Sequence, residues 1–139
     1  RRAMLARDLP IPILGDQICE NLQAVHALIK TNSVGAVSIK PTRTGITESL
    51  KIIATCEAAG LPNVIGTCNE TRLGSMSRLH LRAAIPSLEP WPTETSFFDK
   101  LADDVYDGNF EFKDGALTVY DEPGFGGTVD EAKLQRYRV

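Results

Sequence analysis

The stretch GAVSIKPTRTG, residues 35–45, decides how this chain is read. Its apolar run, Ala36-Val37-Ser38-Ile39, ends at Lys40 and breaks at once into Pro41 and, further on, Gly45. A run with no polar face is what a strand covered by helices on both sides requires, and such strands belong to parallel sheets. A lysine at the carboxyl end of that strand stands where α/β folds keep their chemistry. Taken alone, Lys40 is equally a solvated charge at a strand end. The company it keeps along the chain has to decide.

Upstream, residues 11–14 read as a short strand closed by Gly15-Asp16-Gln17, and residues 1–8 as the last turns of a preceding helix. Residues 20–30 read as a helix, with Leu22, Val25, Leu28 and Ile29 on one face and Lys30 in the last turn, where a cation suits the dipole. Downstream, Thr47 is the expected N-cap of a helix reaching Ala59, with Leu50, Ile53 and Ala54 inward and Gly60 as its stop. Residues 63–66 form a third strand and 67–71 the loop beyond it. A helix over 73–84 carries Leu73, Met76, Leu79 and Ala83 along one side, and 87–89 would be a fourth, weaker strand. This alternation is the pattern of right-handed βαβ units in a parallel sheet, about four of them within residues 1–96. Residues 97–139 are different in kind: a short helix over 97–104, then a hairpin with arms at 110–112 and 117–119 around an Asp114-Gly115 turn. A loop at 123–127 and a helical turn opening at Asp130 follow. This tail reads as packing on the end of the α/β part.

At 139 residues, with 42% hydrophobic and 24% charged side chains, the chain is one domain's worth of soluble globular material. A net charge of -3 argues against nucleic acid or an anionic membrane as the main partner. No apolar run approaches the roughly 20 residues of a membrane span. The basic start lacks an apolar core and a cleavage site, so no signal peptide is expected. Cys19, Cys56 and Cys68 are odd in number and show no C-x-x-C spacing, which suits the reduced thiols of a cytoplasmic protein. His26 and His80 fall within predicted helices and read as exterior or packing residues.

Asp16, Lys40 and Glu94 lie just past the carboxyl ends of successive predicted strands, with Glu70 a fourth. In a parallel barrel those ends converge on one mouth. A carboxylate, a lysine and a second carboxylate around one cavity can serve as metal ligand, base and acid. Each alone is also an ordinary surface charge on a loop.

Several segments carry a resemblance in order and spacing. PILGDQ (12–17) resembles a fifth barrel strand and SIKPTRTGIT (38–47) a sixth; EAAGLP (57–62) and IGTCNE (65–70) resemble the approach to the seventh-strand helix. DGALTV (114–119) and DEPGFG (121–126) match the tail. Together they resemble the enolase superfamily, of the mandelate racemase and muconate-lactonizing type, over nearly the whole chain. The resemblance implies the C-terminal half of a TIM-type (β/α) barrel. It also implies Asp16 as the third Mg²⁺ ligand, Lys40 as one of two acid/base groups, Glu94 as the eighth-strand catalytic carboxylate and Glu70 as a seventh-strand acid lining the substrate. Asn69-Glu70 stands where the racemase branch has a histidine, which favours the lactonizing branch. The implied step moves a proton next to a carboxylate through an enediolate, with Mg²⁺ or Mn²⁺ stabilising the charge.

Two features depart from the family pattern: Gln17 replaces the usual Glu, and only Gly45 remains of a glycine pair. The family's other metal ligands, its K-x-K base and its capping domain lie on earlier segments. The chain is therefore expected to be inactive alone: a fragment, a subunit of a split enzyme, or a half-barrel that pairs with a second copy as a homo-oligomer. A small carboxylate is the expected substrate, with the further metal ligands coming from outside the chain. The alternatives are a catalytically incompetent truncated remnant, or a racemase or epimerase, an o-succinylbenzoate synthase or an acid-sugar dehydratase of the same superfamily.

Overall fold

A computed structural model describes residues 1–88 and 91–138, and of Ser96 only the main chain. The chain divides into two compact units, one of residues Arg1–Cys68 with Ile85–Glu94, the other of Asn69–Ala84 with Thr95–Val139.

The first unit holds α1 (Arg2–Asp8), β1 (Leu14–Gly15), α2 (Leu22–Lys30), β2 (Ala36–Ile39), α3 (Pro41–Ala58) and β3 (Asn63–Ile65). The three strands form one parallel sheet in the order β1-β2-β3, so consecutive strands are neighbours, as βαβ units demand. All four residues of β2 are buried. Val37, Ile39 and Ile65 of the sheet and Val25, Leu28, Ile52, Ile53 and Cys56 of the helices are all buried, and α3 contacts β2, β3 and α2. Each such side chain removed from water contributes about 1.5–3 kcal/mol, which is what drives the strand and helices together. The start of α2 is fixed twice: Asn21 Oδ1 accepts from the N–H of Ala24 at 2.8 Å, and Glu48 Oε1 from the N–H of Leu22 at 2.9 Å.

Several local expectations shift. The first strand is Leu14–Gly15 instead of 11–14. The helix expected from Thr47 starts at Pro41 and is broken at Gly45, whose φ of 74° and ψ of 161° are not helical. Pro41 suits a first helical position because its missing N–H would be unsatisfied there anyway. Its buried face is Ser49, Ile52, Ile53 and Cys56, whereas Leu50 and Ala54 are exposed. Apolar type does not mark the buried face here: Leu50 is exposed, the polar Ser49 is buried, and of the three expected residues only Ile53 points inward. Ser87 and Leu88 lie in a 3₁₀ turn, Pro86–Leu88, not a strand, and Glu89 lies outside the described residues.

The second unit holds α4 (Arg72–Ala83), a 3₁₀ turn (Ser96–Lys100) in place of the helix expected over 97–104, β4 (Tyr106–Gly108), β5 (Phe112–Lys113), β6 (Ala116–Leu117), β7 (Gly127–Val129) and α5 (Glu131–Tyr137). β5 and β6 pair as the expected hairpin; Asp114 and Gly115 turn with φ of 52° and 79°. The antiparallel pair β4–β7 was not foreseen, because three-residue strands rich in glycine carry no alternation to read. Met76, Leu79 and Tyr106 form this unit's core, with Leu73, Phe110, Leu117 and Tyr120 packed on it; Ala83 is exposed.

The last helix, α5, is fastened by polar contacts. Lys133 Nζ donates to Asp103 Oδ1 at 2.7 Å, and Tyr137 OH to Asp103 Oδ2 at 2.9 Å. The Lys133 and Tyr137 hydrogen bonds hold the Asp103 carboxyl down to a pKa of about 2. Its folded pKa therefore lies below the unfolded value of about 3.9, so its contribution is complete above that value and is lost as pH falls toward 2. The protection of the α5 amides, measured relative to their intrinsic exchange rates, is accordingly expected to fall between about pH 4 and pH 2. Asp103→Asn should exchange rapidly already at neutral pH.

Candidate functional site

The site is built at the carboxyl ends of the parallel strands in the first unit. Lys40 follows β2 directly and, by alternation, shares a face with Ala36 and Ser38. It is only 6% exposed, and its ammonium lies 2.5 Å from Asp16 Oδ1, at the end of β1. This is a close ion contact off the angle of a hydrogen bond: Asp16 Oδ1 is buried and receives no aligned donor. The Asp16 side chain is otherwise 43% exposed.

Gly66 makes room for the lysine. Its N–H donates to the carbonyl of Ile39 at 2.8 Å, continuing the β2–β3 ladder. A Cβ at this position would collide with Ser38 Oγ and stand 3.2 Å from Lys40 Cε. A side chain at this position would displace Ser38 Oγ and crowd the stem of Lys40.

Glu94 is attached to the same strand end. Its N–H donates to the carbonyl of Ile65 at 3.2 Å, and its Oε2 accepts from the N–H of Thr67 at 3.3 Å. Those two partners flank Gly66, against which Lys40 lies. Three of the residues singled out in the sequence thus stand at the ends of β1, β2 and β3 of one sheet.

Glu70 belongs to the second unit. Its carboxylate lies 3.1 Å from Arg78 Nη2, with the two side chains 6% and 1% exposed. Arg78 also donates to Ser75 Oγ at 3.3 Å. The sequence reading missed Arg78. Its signal was present as a charged residue between the buried positions Met76 and Leu79 of α4.

The thiols stay out of the chemistry. Burial pushes Cys19 and Cys56 up to about 11, so both are protonated near neutrality. His26 is exposed on α2, and the His80 ring lies 5.7 Å from that of Phe125.

The fit to a divalent ion is partial. The buried, unaligned Asp16 Oδ1 is a hard oxygen suited to Mg²⁺. Among the described residues, however, no set of three or more His, Cys, Asp or Glu side chains comes together to hold a metal. Mg²⁺ needs near-octahedral oxygen coordination, so Asp16 is one ligand of a site that other residues would have to complete.

Comparison with known proteins accords with this geometry. The family model described as Enolase C-terminal domain-like matches residues 1–133. A chloromuconate cycloisomerase from Pseudomonas putida is 29% identical over 134 residues, which are 96% of this chain and 36% of that protein. An arabinonate dehydratase from Saccharolobus solfataricus is 27% identical over 137 residues, 98% of this chain and 36% of that protein. Among solved structures, a muconate cycloisomerase from Pseudomonas fluorescens superposes with a TM-score of 0.90 at 26% identity, covering 99% of this chain and 38% of that one. The chain thus spans about a third of the length of these relatives. It belongs to the Enolase C-terminal domain-like family of the mandelate racemase and muconate-lactonizing type, and its fold is the C-terminal part of an α/β barrel.

Proposed function

We propose that this chain is the C-terminal catalytic half of a Mg²⁺-dependent enolase-superfamily enzyme that moves a proton next to a substrate carboxylate, in the manner of a cycloisomerase. The observation that carries the reading is the buried Lys40 in contact with Asp16 at neighbouring strand ends. Mg²⁺, when bound, would neutralise the negative charge that develops on the substrate carboxylate.

In this reading Lys40 takes or returns the proton at the carbon next to the carboxylate. Its hydrocarbon stem is held over Gly66, so the ammonium has a defined position and little freedom to swing away. Its 6% exposure leaves little of the side chain open to bulk water. Glu94 is the catalytic carboxylate beside it, oriented by the N–H of Thr67. Asp16 would hold the metal, and Glu70 lines the substrate from the seventh-strand loop. The remaining ligands come from outside this chain, from an N-terminal half or from a second copy. The relatives' names favour cycloisomerisation. The arabinonate dehydratase relative supports dehydration of a sugar acid as a second reading, which uses the same first proton step.

The test uses the complete enzyme in D₂O with Mg²⁺ and a carboxylate substrate that it turns over. Deuterium should enter at the carbon next to the carboxylate in recovered substrate or product. Turnover with no solvent deuterium at that carbon would overturn the reading.

A further inference from the structure

The ends of β1 and β2 are joined by a second contact that the proton step does not use. Beside Asp16, Gln17 Oε1 accepts a hydrogen bond from Arg43 Nη1 at 2.6 Å. Arg43 stands in the first turn of α3, and its own N–H donates to the carbonyl of Lys40 at 2.8 Å. Arg43 therefore touches the lysine's main chain on one side and, through its guanidinium, the residue next to Asp16 on the other.

We propose that Arg43 is a positioning residue: hooked onto Gln17, it sets the separation of the β1 and β2 ends and so the place of the Lys40 ammonium against Asp16. Two features make such a strap necessary. β1 pairs with β2 through only Leu14↔Ala36 and Gly15↔Val37, so the ladder stops before Asp16 and Gln17. The first turn of α3 is separated from the rest of the helix by the non-helical Gly45. Thr44 bridges that break to Ser49 Oγ at 2.7 Å, but nothing in that contact reaches β1. The guanidinium–amide bond spans the gap instead.

The identity of the partner also matters. A glutamate at position 17 would bring a further negative charge beside Asp16, whereas Gln17 offers Arg43 the same acceptor oxygen without it. Gln17 and Arg43 are both exposed, and an exposed bond of this kind adds little to global stability. Its loss should move Lys40 without unfolding the chain, which makes the role measurable. The catalytic meaning of this placement rests on the proposed function; the placement itself does not.

The test is reductive methylation of the 139-residue chain with formaldehyde and cyanoborohydride, with lysine modification followed by peptide mass spectrometry. Arg43→Met and Gln17→Ala should each raise the Lys40 rate about twofold, the factor that loss of an exposed contact worth about 0.4 kcal/mol allows. Lys51 and Lys113, and the thermal midpoint, should stay unchanged, and the double variant should add nothing to either single one. Arg43→Lys, which keeps a donor, should restore part of the protection. An unchanged Lys40 rate in both single variants, or a rise shared by Lys51 and Lys113, would overturn the proposal. In the complete enzyme, Arg43→Met should lower kcat with KM little changed. A Lys40 rate that rises while kcat holds would support the strap and count against Lys40 as the proton carrier.

Discussion

Lys40→Ala in the complete enzyme is expected to slow deuterium exchange next to the substrate carboxylate by about 10²–10⁴-fold, the range that a positioned acid–base group supplies. The expectation follows from what surrounds the side chain. It is 6% exposed, its ammonium contacts Asp16 Oδ1, and its stem lies over the gap left by Gly66. Such a lysine costs desolvation that a surface charge would not, so its placement needs a reason beyond solubility. Lys40 is also the N-cap of α3 but makes no side-chain capping bond, so truncating it leaves the helix start intact. Circular dichroism of the variant should match the parent, and the loss should appear in exchange followed by NMR. Exchange at the parent rate, with the fold intact, would remove Lys40 from the reaction.

Glu70→Ala is expected to destabilise the second unit by about 3–5 kcal/mol, the cost of leaving one member of a buried ion pair behind. Arg78 is fully buried and cannot shed its charge, because a guanidinium stays protonated in proteins. Once Glu70 is gone, that buried charge has lost a carboxylate that stood 3.1 Å from it. Glu70→Gln, which keeps an acceptor oxygen, should cost less. A double change, Glu70→Leu with Arg78→Met, should recover much of the loss, since an apolar pair of similar volume avoids both desolvation penalties. Urea unfolding, read through amide exchange of α4, measures all three. An unaltered unfolding profile for Glu70→Ala would show that the pair contributes nothing to the fold. Substrate affinity of the complete enzyme, measured in Glu70→Gln, separately tests its proposed place along the substrate.

The two sites differ in how far the sequence revealed them. Lys40 and Asp16 were legible because strand ends announce themselves: an apolar run stops at a charge and breaks into proline or glycine. Glu94 was placed just past a strand predicted at 87–89; the structure has a 3₁₀ turn at Pro86–Leu88 instead and ties Glu94 to β3 through its N–H on the carbonyl of Ile65. The Glu70–Arg78 pair and the Gln17–Arg43 bond were not legible. Each joins residues from different elements, and no local propensity encodes a contact of that kind.

By itself, then, the sequence determined the repeating strand–helix order, the buried central strand and the residues at its mouth, because burial writes a periodic signal into the chain. It also predicted the Asp114-Gly115 hairpin turn, which positive φ restricts to a few residue types. Only the tertiary structure decided the face that α3 buries, since its apolar residues do not mark one face: Ile46 and Leu50 are exposed while the polar Ser49 is buried. The same holds for the room beside Lys40. A glycine in a sequence reads as a turn or a stop; only the packed sheet shows that a side chain at Gly66 would meet Ser38 Oγ and crowd Lys40.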